Sequence, residues 1–138
     1  MVVLDGKGWI FGRIASQISK AILKGEEVYL INAEEMLISG NPKATLANMR
    51  LRRALQNKGT PEHSPKWPKV PHMLVKRMIR GMLPWHTARG REAYKRLIVY
   101  TGNPKKLKPE SPFEVIGIKK GVRFMKMLDL CRMIGYSG

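Results

Sequence analysis

Cysteine is almost missing from this chain. Cys131 stands alone among 138 residues, so no internal disulfide can form, and the usage fits a reducing cytosol. No run of eighteen apolar residues occurs, which leaves no candidate membrane-spanning helix. The first residues lack a basic segment followed by a long apolar stretch, so no secretory leader is expected. Acidic side chains are scarce, with ten Asp and Glu against 26 Lys and Arg, a net charge of +16. With 43% apolar and 26% charged residues, the composition is nevertheless that of a folded protein. The length fits one domain, 1–138, able to build a core without disulfide or metal.

The excess charge is concentrated. Residues 1–40 carry four basic and five acidic side chains, residues 41–109 carry seventeen and two, and residues 110–138 carry five and three. The two acids of the middle part are Glu62 and Glu92. Charge serving solubility alone would be spread along the chain. Self-repulsion of this kind adds nothing to fold stability, so its clustering points to a polyanionic partner.

The neutral N-terminal part reads as β-α-β. Val2 to Leu4 is β-prone and ends at the Asp5-Gly6 turn signal. Ile14, Ile18 and Ile22, with Ala15 and Ala21, recur at helical spacing, and Gly25 stands at the C-terminal cap position. Strands are expected at 28–31 and 36–38. A crossover of this length implies parallel pairing with the helix on one face of the sheet. Asn41-Pro42 then opens a helix, whose apolar stripe is expected to be Ala44, Ala47, Leu51 and Leu55. Pro61, Pro65, Pro68 and Pro71 make 58–71 an extended basic loop.

Residues 73–83 place Leu74, Val75, Met78, Ile79 and Met82 on one side and Lys76, Arg77 and Arg80 on the opposite arc. No acidic residue lies at i,i+4 to pair with these cations, which favours a phosphate-facing surface over a merely solvated one. Thr87 is placed to cap a helix running to about Arg96, although Gly90 stands where a capping-box Glu would be. A fourth strand is expected at 97–100, a Pro/Lys connector at 105–112, and a final helix with Phe124, Leu128, Cys131 and Ile134 on one face.

Catalytic and metal patterns are absent or incomplete. Gly6 to Gly12 lies between strand and helix, but Phe11 occupies the third glycine position of the dinucleotide fingerprint. His63, His72 and His86 with one cysteine match no zinc spacing. Cys131 reads as a small buried hydrophobe, and Asp5, Glu34 and Glu35 as turn and capping groups. No catalytic residue, cofactor or metal is expected. Trp67, Trp85 and His86 sit in basic, irregular backbone, where unpaired bases can stack, or where an aromatic simply anchors its loop.

Asp5-Gly6, Gly12-Arg13-Ile14-Ala15-Ser16, Asn32-Ala33-Glu34 and Ser39-Gly40-Asn41 resemble the N-terminal half of the universal large-subunit ribosomal protein L-thirteen family. Arg80-Gly81-Met82-Leu83-Pro84, Thr87-Ala88-Arg89-Gly90 and Arg96 to Gly102 resemble that family's signature. These blocks stand in order over about residues 3–104, and Gly121–Gly135 is similar to the terminal helix of archaeal and eukaryotic members. The direct link Lys24-Gly25-Glu26-Glu27 also resembles those members, since bacterial ones insert a longer segment there. Two departures are the missing Arg-Gly-Gly-Pro-like start of loop 58–71 and an end at Gly138, short of the long basic helix of eukaryotic members. The resemblance implies a three-layer α/β/α fold with a four-stranded, mostly parallel sheet. It also implies binding to large-subunit rRNA, contacts with neighbouring large-subunit ribosomal proteins, and a cytoplasmic location in the large subunit, nucleolar during assembly in a eukaryote. Neither a membrane nor a small-molecule substrate is expected.

Residues 1–40 are then the β-α-β core, 41–109 the RNA-facing part, and 110–138 a connector and helix. The expected RNA contacts are an arc of Lys76, Arg77, Arg80, Arg89, Arg91, Lys95 and Arg96, and a strip of Arg50, Arg52 and Arg53. Lys43, Lys58, Lys66, Trp67, Lys69, His86, Lys105 and Lys106 complete the set.

Overall fold

The computed structural model describes residues 1–110 and 122–138. Strand β1 (Val2–Asp5) leads through helix α1 (Phe11–Lys24) to β2 (Val28–Ile31), and the two strands pair in parallel from Val2 opposite Val28 to Asp5 opposite Ile31. Strand β4 (Leu97–Val99) joins the other edge of β2 in parallel, giving the order β1-β2-β4. The central strand is buried on both faces: Val28, Leu30 and Ile31 are at most 1% exposed. This explains why it reads as an unbroken apolar run and not as an alternation. Helix α1 buries the expected stripe of Ile14, Ala15, Ile18, Ala21 and Ile22. It stops at Gly25, whose φ of 105° is open to glycine at little cost and lets its N–H reach the Ile22 carbonyl.

Among the described residues the expected four-stranded sheet is not formed: the parallel sheet has three strands. Strand β3 (Leu37–Ser39) leaves the parallel sheet and pairs antiparallel with β5 (Phe124–Lys126) in a separate two-stranded sheet. The cause lies just before it. Asn32 is left-handed at φ 52°, and a 3-10 turn over Ala33–Glu35 redirects the chain. Phe124 therefore belongs to a strand and not to the C-terminal helix face. That helix, α5, is short (Met127–Met133) and buries Met127, Leu130 and Cys131. Gly121 and Pro112, the ends of the expected terminal helix and connector, lie outside the described residues.

Helix α2 (Pro42–Ala54) starts as expected, with the Asn41 side chain accepting the Lys43 N–H at 3.1 Å. Its inner face is not the expected one. Leu51 and Leu55 are 67% and 58% exposed, and the buried residue is Met49. Leu46, Met49 and Arg53, spaced three and four apart, turn inward instead, and the Arg53 guanidinium donates to the Ile134 carbonyl at 2.8 Å. Helix α3 (Pro71–Arg80) buries Leu74, Val75 and Ile79 as its amphipathic pattern requires, whereas Met82, beyond its end, is exposed. Helix α4 (Ala88–Lys95) follows Thr87, whose hydroxyl accepts the Gly90 N–H and donates to the Pro84 carbonyl. Gly90 is there because a Cβ would overlap the Pro84 carbonyl. Side chains from β1, α1, β2, α3, α4, β4 and α5 share one apolar cluster.

Candidate nucleic-acid interface

The basic residues of α3 are held by aromatic rings. The Arg80 guanidinium lies 3.9 Å from the centroid of the Trp85 ring, and Lys76 lies 4.9 Å from that of Tyr94. Trp85 and Tyr94 meet edge to face at 5.2 Å and 88°. On the other side, Arg77 of α3 and Arg52 of α2 sit 4.9 and 5.2 Å from the Trp67 ring centre. The Pro-rich loop that carries Trp67 thus links α2 to α3, and the turn that carries Trp85 links α3 to α4. Burial lowers the Lys76 pKa from its usual value. Burial also raises that of Tyr94, while Arg80 and Arg77 oppose that rise.

This arrangement differs from ion pairing. A cation over a ring gains about 0.5–2 kcal/mol from the ring quadrupole yet keeps its full charge, whereas a carboxylate would cancel it. Among the described residues, no carboxylate lies within ion-pair distance of any Lys or Arg of 41–109, whereas in the N-terminal part Lys7 pairs with Glu35 at 3.8 Å. The rings hold the guanidinium groups in place without using up their charge, and a guanidinium so held is chemically able to make bidentate contacts with an oxyanion such as phosphate.

Other expected contact residues are placed differently. Arg89 and Arg96 donate to the carbonyls of Leu23 and Ile22 at 3.3 and 3.4 Å, closing the last turn of α1. Their remaining N–H groups can still face outward, but part of their role is the fold. Arg53 is turned inward, as described. Lys43 and Arg50 are exposed on α2, Arg91 and Lys95 on α4, and His86 in the turn after Trp85. Lys58 and Lys66 line a cavity beside Trp67, and Lys69 runs next to Gly135. Lys105 lies over the Tyr100 ring at 5.5 Å, and a hydrogen bond to that phenol raises its pKa. Lys106 is exposed, at a left-handed φ of 49°. Sequence reasoning missed Tyr94 and Tyr100 as cation platforms. The available signal was indirect: cations with no acidic helix neighbour need some other partner.

The turn and capping acids do what their positions imply. Asp5 accepts from the Lys7 N–H at 3.0 Å and from the Asn32 amide at 2.9 Å. The loop between β1 and α1 is stitched to β3, with the Leu37 N–H donating to the Trp9 carbonyl at 2.8 Å. Cys131 is fully buried, and burial pushes its thiol up to about 11. Among the described residues no group of three or more His, Cys, Asp or Glu is placed to hold a metal, and no helix is long and apolar enough to cross a membrane.

These features define a small, strongly basic α/β protein whose described surface is cationic. The chain belongs to the ribosomal protein L13 family, whose sequence profile matches residues 1–106. That family consists of ribosomal structural proteins, not enzymes. The large ribosomal subunit protein uL13 of Methanosarcina barkeri is 48% identical over 109 residues, covering 78% of this chain and 76% of its own length. Its counterpart in Methanococcoides burtonii is 37% identical over 139 residues, 98% of each chain. That of Archaeoglobus fulgidus is 34% identical over 142 residues, 99% of this chain and 88% of its own.

Proposed function

We propose that this protein is a structural constituent of the large ribosomal subunit that binds and stabilises folded large-subunit rRNA through phosphate contacts and some base stacking. The observation that carries this reading is the set of ring-held cations on α2 and α3, Arg52, Lys76, Arg77 and Arg80, with no carboxylate partner among the described residues. Lys76, Arg77, Arg80, Arg91 and Lys95, with the free edges of Arg89 and Arg96, clamp phosphates. Arg50 and Arg52 form a second strip, and Lys43, Lys69, Lys105 and Lys106 extend the field. RNA helices are recognised mainly by shape and backbone, so sequence selectivity is confined to bases that are unpaired. The β-α-β part acts with the basic part as one unit. Packing of α1 with α4 and of α3 with α5 and β4 supports a layered arrangement of helices about the sheet. Its partners are the rRNA and neighbouring ribosomal proteins, in the cytoplasm.

Filter binding of the protein to large-subunit rRNA across a salt series tests this. Neutralising roughly six to ten phosphates makes affinity fall about a thousandfold or more between 50 and 200 mM salt. A flat salt response overturns the reading.

A further inference from the structure

The C-terminal end of α2 and the Pro-rich loop border an open surface cavity of about 580 Å³. Leu55, Pro61, Pro65 and the side of Trp67 give it apolar walls, and no carboxylate lines it. Leu55, at 58% exposed, is a leucine left open with nothing to cover it. Lys58 and Lys66 place two ammonium groups among the lining residues, and Gln56 and Asn57 supply amides. The Asn57 backbone N–H donates to the Ser64 hydroxyl at 2.9 Å, and its side-chain N–H donates to the His63 carbonyl at 3.4 Å. That leaves the Asn57 side-chain oxygen and the whole Gln56 amide without a partner among the described residues.

Trp67 is not a free stacking platform, because its ring packs against the core and carries both Arg52 and Arg77. The open feature is the cavity beside it. Its volume falls in the range of about 300–1,000 Å³ that takes a small organic group. A carboxamide offers one acceptor and two donors to a base edge, the apolar walls suit a heterocycle, and the ammoniums suit the flanking phosphates. A base within a duplex cannot enter, since its edge is already paired.

We infer that this cavity seats one unpaired base of an RNA strand. Gln56 and Asn57 face its edge, Leu55 and the prolines cover its ring, and Lys58 and Lys66 hold the adjoining phosphates. The inference rests on the rRNA-binding reading and adds to it a site selective for single-stranded RNA.

The test compares a short mixed-sequence single-stranded RNA, carrying one photoreactive 4-thiouridine, with a short RNA duplex, both against the full chain. Leu55→Ala combined with Gln56→Ala removes two exposed side chains that take no part in the core. Losing the apolar cover of Leu55 and the edge contacts of Gln56 should make this variant bind the single strand about tenfold more weakly, with duplex affinity unchanged. Crosslinks should map to residues 55–67. Unchanged single-strand affinity in the variant, or crosslinks confined to other segments, overturns the cavity site while duplex binding leaves the broader reading standing. Failure of the unmodified protein to bind either RNA overturns both.

Discussion

Both carboxylate oxygens of Glu34 accept the backbone N–H of Gly102, at 2.9 and 3.0 Å. With the Asn32 N–H donating to the Gly102 carbonyl and the Ala33 N–H to that of Tyr100, this ties the segment after β2 to the segment after β4. Asp5 reaches Asn32 from β1, so the carboxyl ends of all three parallel strands are joined by side chains. A hydrogen bond to a charged acceptor contributes about 1.5–3 kcal/mol. Glu34→Ala should therefore lower stability by about 2 kcal/mol, and Glu34→Gln, which keeps one oxygen, by about half as much. Urea unfolding followed by circular dichroism measures both, and equal midpoints for wild type and Glu34→Ala would falsify the role assigned to this carboxylate.

Two glycines in helices should respond oppositely to alanine. At Gly90 a Cβ would overlap the Pro84 carbonyl, so Gly90→Ala must push α4 away from the turn that carries Trp85. A loss of about 1–3 kcal/mol follows from such overpacking. At Gly12, inside α1, a Cβ meets nothing within 4 Å. Gly12→Ala should raise stability by about 0.4–1 kcal/mol, chiefly by restricting the unfolded chain. The pair of melting temperatures, one shifted down and the other up, checks both placements.

The cation–ring contacts separate charge from geometry. Arg77→Ala together with Arg80→Ala should weaken rRNA binding across all sequences and reduce the salt slope by about 2, roughly one for each phosphate no longer neutralised. Arg80→Lys keeps the charge but loses the planar guanidinium that lies on Trp85. Its slope should stay near that of the wild type while its affinity falls. Binding isotherms over a salt series distinguish the two effects, and identical behaviour of Arg80→Lys and wild type would leave the ring without a function.

The Cys131 thiol titrates near 11 because it is buried, while the unfolded chain binds or releases that proton at the ordinary value of 9.0. Between those values the unfolded state holds fewer protons than the folded one, so stability falls as pH rises from 9 towards 11. Tyr94, also raised, adds a loss of the same sign, and Lys76, lowered, opposes it. Replacing Cys131 with alanine should flatten this pH dependence in denaturant titrations. Iodoacetamide should label the native thiol slowly at pH 8 and the urea-unfolded one readily.

The parts legible in the sequence are those whose packing repeats locally. The Ile14, Ile18, Ile22 stripe and the Gly25 cap describe α1 because a helix that buries a whole face imprints its period on the chain. Thr87 announces α4 through a single cap bond that spans three residues. Helix α2 misled because it buries only Met49, so its apolar spacing was free to reflect something other than the core. The inward position at Arg53 depends on the Ile134 carbonyl, 81 residues away. The β3–β5 pair is likewise made of two three-residue strands from distant segments, with too few residues to show a period. In the candidate interface, the excess of basic residues was visible in the sequence as a cluster over 41–109. Which rings hold them was not, because Tyr94 meets Lys76 only once α3 and α4 are packed together.

With no acid partner among the described residues, the cations of 41–109 also set how the free protein behaves. Like charges held in place by rings repel one another in the free protein, and dissolved ions relieve that repulsion within a Debye length of about 10 Å at 0.1 M. Added salt should therefore raise the melting temperature of the free chain while it loosens the RNA complex. The two salt effects would have opposite signs, so a free copy should be least stable under the same dilute conditions in which the proposed complex is tightest.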